Sequence, residues 1–210
     1  MISPRIAIVD YGAGNIKSVL NALKRINLEN SILTKKASDI EAADALILPG
    51  VGAFGHCMKN LLKSGLIPSL ENAILKKKKP LLGICIGMQL LAESSDEDGV
   101  HSGLGWIPGH VKQIQTDSKF RIPHVGWNQV RLVPGDALFS NVQDGAFFYF
   151  DHSYAYLGSN SYITSTASHG NEITASIKLS NIYGVQFHPE KSDRNGLRVF
   201  RAFGNMILPC

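Results

Sequence analysis

Pro80-Leu81-Leu82-Gly83-Ile84-Cys85-Ile86-Gly87-Met88-Gln89-Leu90-Leu91 is the stretch that decides the fold. Pro80–Ile84 reads as a short buried strand and Ile86 to Glu93 as a helix, with one cysteine between them. A strand that runs straight into a helix through Gly-x-Cys-x-Gly is the cysteine form of the nucleophile elbow. The glycines permit a strained turn. The turn sets the Cys85 side chain at a helix N-terminus, where the dipole and free N–H groups stabilise a thiolate. The N–H of Ile86 would face a developing oxyanion. On this stretch alone, a buried structural cysteine remains open.

Upstream, strand and helix alternate. Arg5–Val9 reads as a strand ending at Asp10-Tyr11-Gly12-Ala13-Gly14-Asn15. Ile16, Val19, Leu20, Leu23 and Ile26 then recur at helical spacing. Ser31–Thr34 and Ala45–Leu48 read as strands, the latter closed by Pro49-Gly50-Val51-Gly52. A helical segment from Ala53 to Leu75 is interrupted near Gly65 and Pro68. This alternation implies right-handed βαβ units and a largely parallel sheet, whose sites lie at the carboxyl ends of the strands. Downstream, Val111–Gln115, Gln129–Val133, Ala146–Phe150, Tyr162–Thr166, Ile173–Ile177 and Ile182–Val185 are short and β-branched or aromatic. They suggest antiparallel additions to the sheet, with a closing helix from Leu197 to Ile207. The expected fold is α/β with a mixed, mostly parallel sheet. No repeat, low-complexity tract or linker divides the chain, so residues 1–210 are expected to form a single domain.

Composition narrows the class. The 210 residues are 44% hydrophobic and 18% charged with a net charge of +4, ordinary for a soluble globular chain. Lys76–Lys79 reads as a solvated helix end, and no basic stripe with stacking aromatics suggests nucleic acid. No apolar run reaches the ~18–20 residues of a membrane span. Met1–Arg5 leads directly into a strand rather than a signal peptide. Three cysteines, Cys57, Cys85 and Cys210, do not make a disulfide framework and suit a reducing, cytoplasmic setting.

Gln186-Phe187-His188-Pro189-Glu190 follows the Ile182–Val185 strand. In extended chain His188 and Glu190 share a face. Imidazole is a suitable base for a thiol, and a carboxylate fixes its tautomer. A surface turn is the other reading, but an elbow cysteine with a downstream His-x-Glu is a far rarer joint event. Pro49–Gly52 is open between an oxyanion loop and a plain turn. Gly12-Ala13-Gly14 lacks the third glycine of a dinucleotide fingerprint, because position 17 is Lys. Gly50–Gly55 continues His56-Cys57 and so is not a P-loop. His56, His101, His110, His124, His152 and His169 show no metal-ligand spacing, so no metal and no cofactor are expected.

Gly83–Leu91 together with Phe187–Ser192 resembles the class I (triad) glutamine amidotransferases. Asp10–Asn15, Leu48–Phe54, His124–Asn128 and Phe148–Tyr154 are similar to the glutaminase subunits of imidazole glycerol phosphate synthase within that family. The resemblance spans essentially the whole chain. It implies a three-layer flavodoxin-like fold, one type-1 glutamine amidotransferase domain, and a triad of Cys85, His188 and Glu190. It implies an oxyanion hole from Val51, Gly52 and Ile86, and glutamine contacts from Gly50, Gly52, Gln89, His152, Ser153 and Tyr154. It also implies a heterodimer with a (β/α)8-barrel cyclase of histidine biosynthesis, with Asn15, Lys17, Trp127 and Tyr149 at the interface. A sealed route to a second active site suits the chemistry, because ammonia released into neutral water becomes non-nucleophilic ammonium. Asp151 departs from the family pattern, which is usually apolar there. Three competing readings follow. The ammonia could serve amidination of a surface-polysaccharide sugar. The chain could be a Cys-His hydrolase of another kind, which Gln89 and His152-Ser153-Tyr154 oppose. It could be a non-enzymatic scaffold, which an intact triad opposes.

Overall fold

The computed structural model describes residues 4–117 and 119–207. Cys210, singled out above, lies outside them. Strands β1 (Ile6–Val9), β2 (Ile32–Thr34), β3 (Ala45–Gly50), β4 (Leu81–Cys85) and β13 (Ile182–Val185) form the parallel half of a nine-stranded sheet. The strand order there is β2-β1-β3-β4-β13, and β13 then continues antiparallel through β12 (Asn171–Leu179), β11 (Ile163–His169), β8 (His124–Leu132) and β9 (Ala146–His152). Every residue of β1, β3, β4 and β13 is buried, as expected of parallel strands covered on both faces. Helices α1 (Ile16–Lys24) and α6 (Asp193–Asn205) pack on one another, and α2 (Ala37–Ala42) packs on α4 (Ile67–Glu71). Right-handed crossovers on either side of β1 put these pairs on opposite faces of the sheet. Helix α3 (Phe54–Lys63) packs on the short α5 (Ile86–Gln89).

The remaining strands, β5 (Ser94–Ser95), β6 (His101–Ser102), β7 (His110–Gln113) and β10 (Tyr154–Leu157), make a second, four-stranded sheet. Expectation and structure part here. The strand expected over Val111–Gln115 is not an addition to the main sheet; as β7 it pairs with β10. The helix expected from Ile86 to Glu93 stops at Gln89. The carbonyls of Leu90, Leu91 and Ala92 accept from Leu104, Trp106, Ile107 and Gly105 instead of from a continuing helix. The closing helix starts at Asp193 rather than Leu197. Its polar first turn hides the start from apolar periodicity, and Gly196 sits so close that a Cβ there would be 1.8 Å from the Pro189 carbonyl oxygen.

Strand β8 begins five residues before the expected Gln129. Its outward residues Val125 and Trp127 are 54% and 49% exposed, and Phe147 on β9 is 47% exposed. The β8–β9 ribbon therefore turns an apolar face to solvent, which disguises the usual inward/outward contrast. No helix among the described residues is long and apolar enough to cross a membrane.

Candidate active site

Cys85 sits at φ 54°, ψ −114°. Outside glycine such a conformation costs about 1–3 kcal/mol and persists only when its surroundings enforce it. A Cβ on Gly87 would lie 1.8 Å from the Leu48 carbonyl oxygen, and one on Gly83 would lie 2.7 Å from that of Gly87. Only glycines let α5 start this tightly against β3 and β4. Register then assembles the rest. Gly50 pairs with Cys85 and Val185 pairs with Ile84, so the Pro49–Gly52 loop and the segment after β13 both emerge beside the sulfur.

That segment carries His188, whose Nδ1 lies 2.8 Å from Glu190 Oε1 and whose ring is also within the electrostatic reach of the Cys85 sulfur. Burial opposes charge on His188, but the interactions with Cys85 and Glu190 outweigh it and carry the ring up to about 10. Ser192 locks the turn: its hydroxyl donates to the His188 carbonyl and accepts from the Tyr149 N–H. The His188 N–H in turn donates to the Tyr149 carbonyl.

These groups open onto a cavity of about 360 Å³. Val51, Gly52, Cys85, Ile86, Gln89 and His188 line it, and so do His152, Ser153 and Tyr154. Gly50 is outside the lining. His152 borders the cavity, yet both its ring nitrogens are engaged within the protein. Nδ1 is 2.8 Å from the Tyr154 carbonyl and Nε2 is 3.0 Å from His124 Nδ1. Its ring therefore has no free polar atom to offer a ligand. The carbonyl of Val51 accepts from the Cys57 thiol at 3.5 Å, and burial pushes that thiol up, so it stays protonated as a donor. Planarity of the peptide then turns the N–H of Gly52 away from Cys57.

Glu97 also lines the cavity and was not singled out from the sequence. It arrives on the loop after β5, and its Oε2 accepts from the N–H of Phe54, the first residue of α3, at 2.6 Å. Nothing in its spacing relates it to Cys85. Gln186 opens the motif that carries His188 and Glu190. It is fully buried, with Nε2 3.8 Å from Cys85 Sγ. Its position two residues before His188 in extended chain was a usable signal.

Of the expected interface residues, Trp127 and Tyr149 face one another across β8 and β9, with rings edge-to-face at 6.2 Å. Asn15 and Lys17 lie at the start of α1. Helix α1 packs against the Pro189–Lys191 turn, and Lys191 reaches from that turn over the Tyr149 ring and toward Asp151. No group of three His, Cys, Asp or Glu among the described residues could hold a metal ion.

A thiol and an imidazole at a cavity wall, with a buried carboxylate on the imidazole, can perform acyl transfer through a thioester. Residues 7–204 match the Glutamine amidotransferase class-I family. The chain belongs to that family. This class I glutamine amidotransferase is 46% identical over 199 residues to imidazole glycerol phosphate synthase subunit HisH 2 of Vibrio vulnificus (strain YJ016), covering 95% of this chain and 93% of the relative. It is 44% identical over 206 residues to the HisH subunit of Zymomonas mobilis subsp. mobilis (strain ATCC 31821 / ZM4 / CP4), covering 96% and 95%. Its fold is shared with PurLQS from Thermotoga maritima, with a TM-score of 0.74 at 19% identity over 99% of this amidotransferase and 100% of that chain.

Proposed function

We propose that this amidotransferase is the glutaminase subunit of an imidazole glycerol phosphate synthase. The observation that carries the reading is near-full-length identity of 44–46% to proteins bearing that name, in a chain whose Cys85 and His188 line one cavity with Glu190 bonded to His188. Cys85 attacks the side-chain amide carbon of glutamine. His188 delivers a proton to the nitrogen, the C–N bond breaks, and ammonia leaves. Water, deprotonated by His188, then attacks the thioester, the C–S bond breaks, and glutamate departs. Ile86, Val51 and Gly52 surround the site of the oxyanion. The Glu97 carboxylate faces the cavity with an oxygen to spare and suits the α-ammonium of the substrate.

The partner in this reading is a cyclase with a (β/α)8 barrel that takes the ammonia directly, in the cytoplasm. It docks on the rim carrying Asn15, Lys17, Trp127 and Tyr149. The exposed apolar ribbon of Val125, Trp127 and Phe147 supports this, because contiguous apolar surface of that kind marks an interaction site.

The test is glutamate release by the purified chain alone, and with the cyclase of the same genome plus its ribonucleotide substrate, beside Cys85→Ala. Stimulated turnover that depends on Cys85 is the expected result. Cys85-dependent turnover indifferent to that cyclase would move the acceptor elsewhere, with amidination of a surface sugar the next candidate.

A further inference from the structure

Two buried glutamines join the cavity wall to the nucleophile. Gln89 Nε2 lies 2.8 Å from the Tyr154 carbonyl oxygen and 3.0 Å from Gln186 Oε1, and Gln186 Nε2 lies 3.8 Å from Cys85 Sγ. Neither side chain is exposed. The polarity of this chain is forced. A backbone carbonyl only accepts, so Gln89 must present its nitrogen to Tyr154. The second hydrogen of that nitrogen needs an acceptor, so Gln186 must present its oxygen to Gln89. The atom of Gln186 that faces the sulfur is therefore its nitrogen, which can only donate.

We infer that Gln186 is a further catalytic residue, which donates an N–H to Cys85 Sγ and stabilises negative charge on that sulfur. An amide held with its oxygen toward the sulfur would do the reverse, and the Tyr154 carbonyl excludes that orientation through Gln89. The sulfur carries charge twice in the cycle: as the attacking thiolate, and when the C–S bond breaks and the electron pair returns to it. Gln186 serves both moments. It does not line the cavity, so it contributes little to holding glutamine.

Other titratable groups interact with the same sulfur through charge. His188 comes from the turn after β13, Tyr11 from the loop after β1, and Cys57 from α3. Asp151 presents its backbone oxygen at 4.0 Å, and Glu97 and His152 line the same cavity. None of these titratable side chains is hydrogen-bonded to the Gln186 amide, whose partners are Gln89 and the sulfur itself, which makes the substitution informative.

The inference rests on Cys85 being the nucleophile. Labelling of Cys85 in the wild-type chain by a glutamine-analogue electrophile tests that separately, and its failure would remove the premise. The test proper is the pH profile of Cys85 alkylation by iodoacetamide, read on the Cys85 peptide by mass spectrometry. The full-length chain is compared with Gln186→Met, which removes the donor, and Gln186→Glu, which keeps the acceptor for Gln89. Both profiles should move to higher pH, with alkylation near neutral pH roughly tenfold slower, the effect of losing one hydrogen bond to a charged group. Glutamine turnover should lose kcat while KM changes little. Folded variants whose profiles overlay the wild type would overturn the inference. Should neither variant fold, the wild type still decides: the side-chain amide resonances of Gln186 should titrate with the midpoint of the alkylation profile, and resonances that do not move would overturn it.

Discussion

His188 Nδ1 and Glu190 Oε1 stand 2.8 Å apart, with side chains only 3% and 2% exposed. A bond of this kind holds the ring in one tautomer and supports its charged form. In Glu190→Gln the ring loses that support, and kcat should fall on the order of 10³-fold, the scale at which general acid–base residues contribute. The folded-state value for His188, about 10, lies above the ~6.5 of an unfolded histidine. The stability this gives is complete below pH ~6.5 and is lost as pH rises through about 10. Thermal melts between those limits should decline in the wild type and run flatter in Glu190→Gln. Equal slopes would mean that the pairing does not govern the titration.

His124 and His152 titrate in the opposite sense. Two backbone carbonyls fix their tautomers. His152 donates from Nδ1 to the Tyr154 carbonyl, so its Nε2 accepts from His124 Nδ1. His124 Nε2 then accepts from Asn128, whose amide also donates to the Ser168 carbonyl. Every nitrogen is satisfied only while both rings are neutral. Burial is the main cause that brings His124 down to about 3 and His152 to about 4, and neighbouring histidines add to it. Depressed values mean stability that is intact above pH ~6.5 and lost as pH falls toward 4 and 3, with a slope of at most about 1.4 kcal/mol per pH unit for each histidine. Denaturant unfolding at pH 7, 6 and 5 should show this loss, and His124→Asn should reduce the pH dependence even where it costs stability overall.

Glu97 joins two roles that substitution can separate. Its carboxylate caps α3 through the Phe54 N–H and lines the cavity onto which Cys85 opens. Glu97→Gln keeps an acceptor for the cap and removes the charge offered to the substrate ammonium. The expected outcome is a rise in KM for glutamine of roughly 10–100-fold, the value of a hydrogen bond to a charged group, with kcat nearly unchanged. A loss confined to kcat would place Glu97 with the chemistry instead.

The parallel half of the sheet was legible because β1, β3, β4 and β13 are buried on both faces and so read as unbroken apolar runs flanked by glycine loops. The cysteine elbow and His188-Pro189-Glu190 were legible because both follow such strands, and register does the rest. The second sheet was not. Strands β5 and β6 are two residues each, too short for any periodicity, and are held by the backbone bonds that end α5. Lys76–Lys79 read as solvent decoration, and Lys76, Lys77 and Lys78 are indeed exposed. Lys79 differs: its ammonium donates to the carbonyls of Glu41 and Ala43 and closes the end of α2. Four identical residues in a row carry no mark of which one turns inward. Glu97 stayed hidden for a similar reason, since it reaches the site through loop geometry rather than by spacing from the elbow.

Trp127 offers the most direct test of the proposed docking surface. Its ring is half exposed, rests edge-on against Tyr149, and lies on the outward face of an edge ribbon beside Val125 and Phe147. A tryptophan this exposed contributes little to the fold of the free chain, but it is the residue type most enriched among interface hot spots. Trp127→Ala should leave the thermal midpoint within a degree or two and weaken binding of the cyclase by about 2 kcal/mol, roughly 30-fold in Kd. Leu157 is 61% exposed on β10, away from this ribbon, and is the matched control. Leu157→Ala should leave the affinity unchanged. If titration calorimetry gives Trp127→Ala and Leu157→Ala the same affinity as the wild type, the partner does not dock on the β8–β9 ribbon. If both weaken it alike, the loss reflects general apolar surface rather than this face.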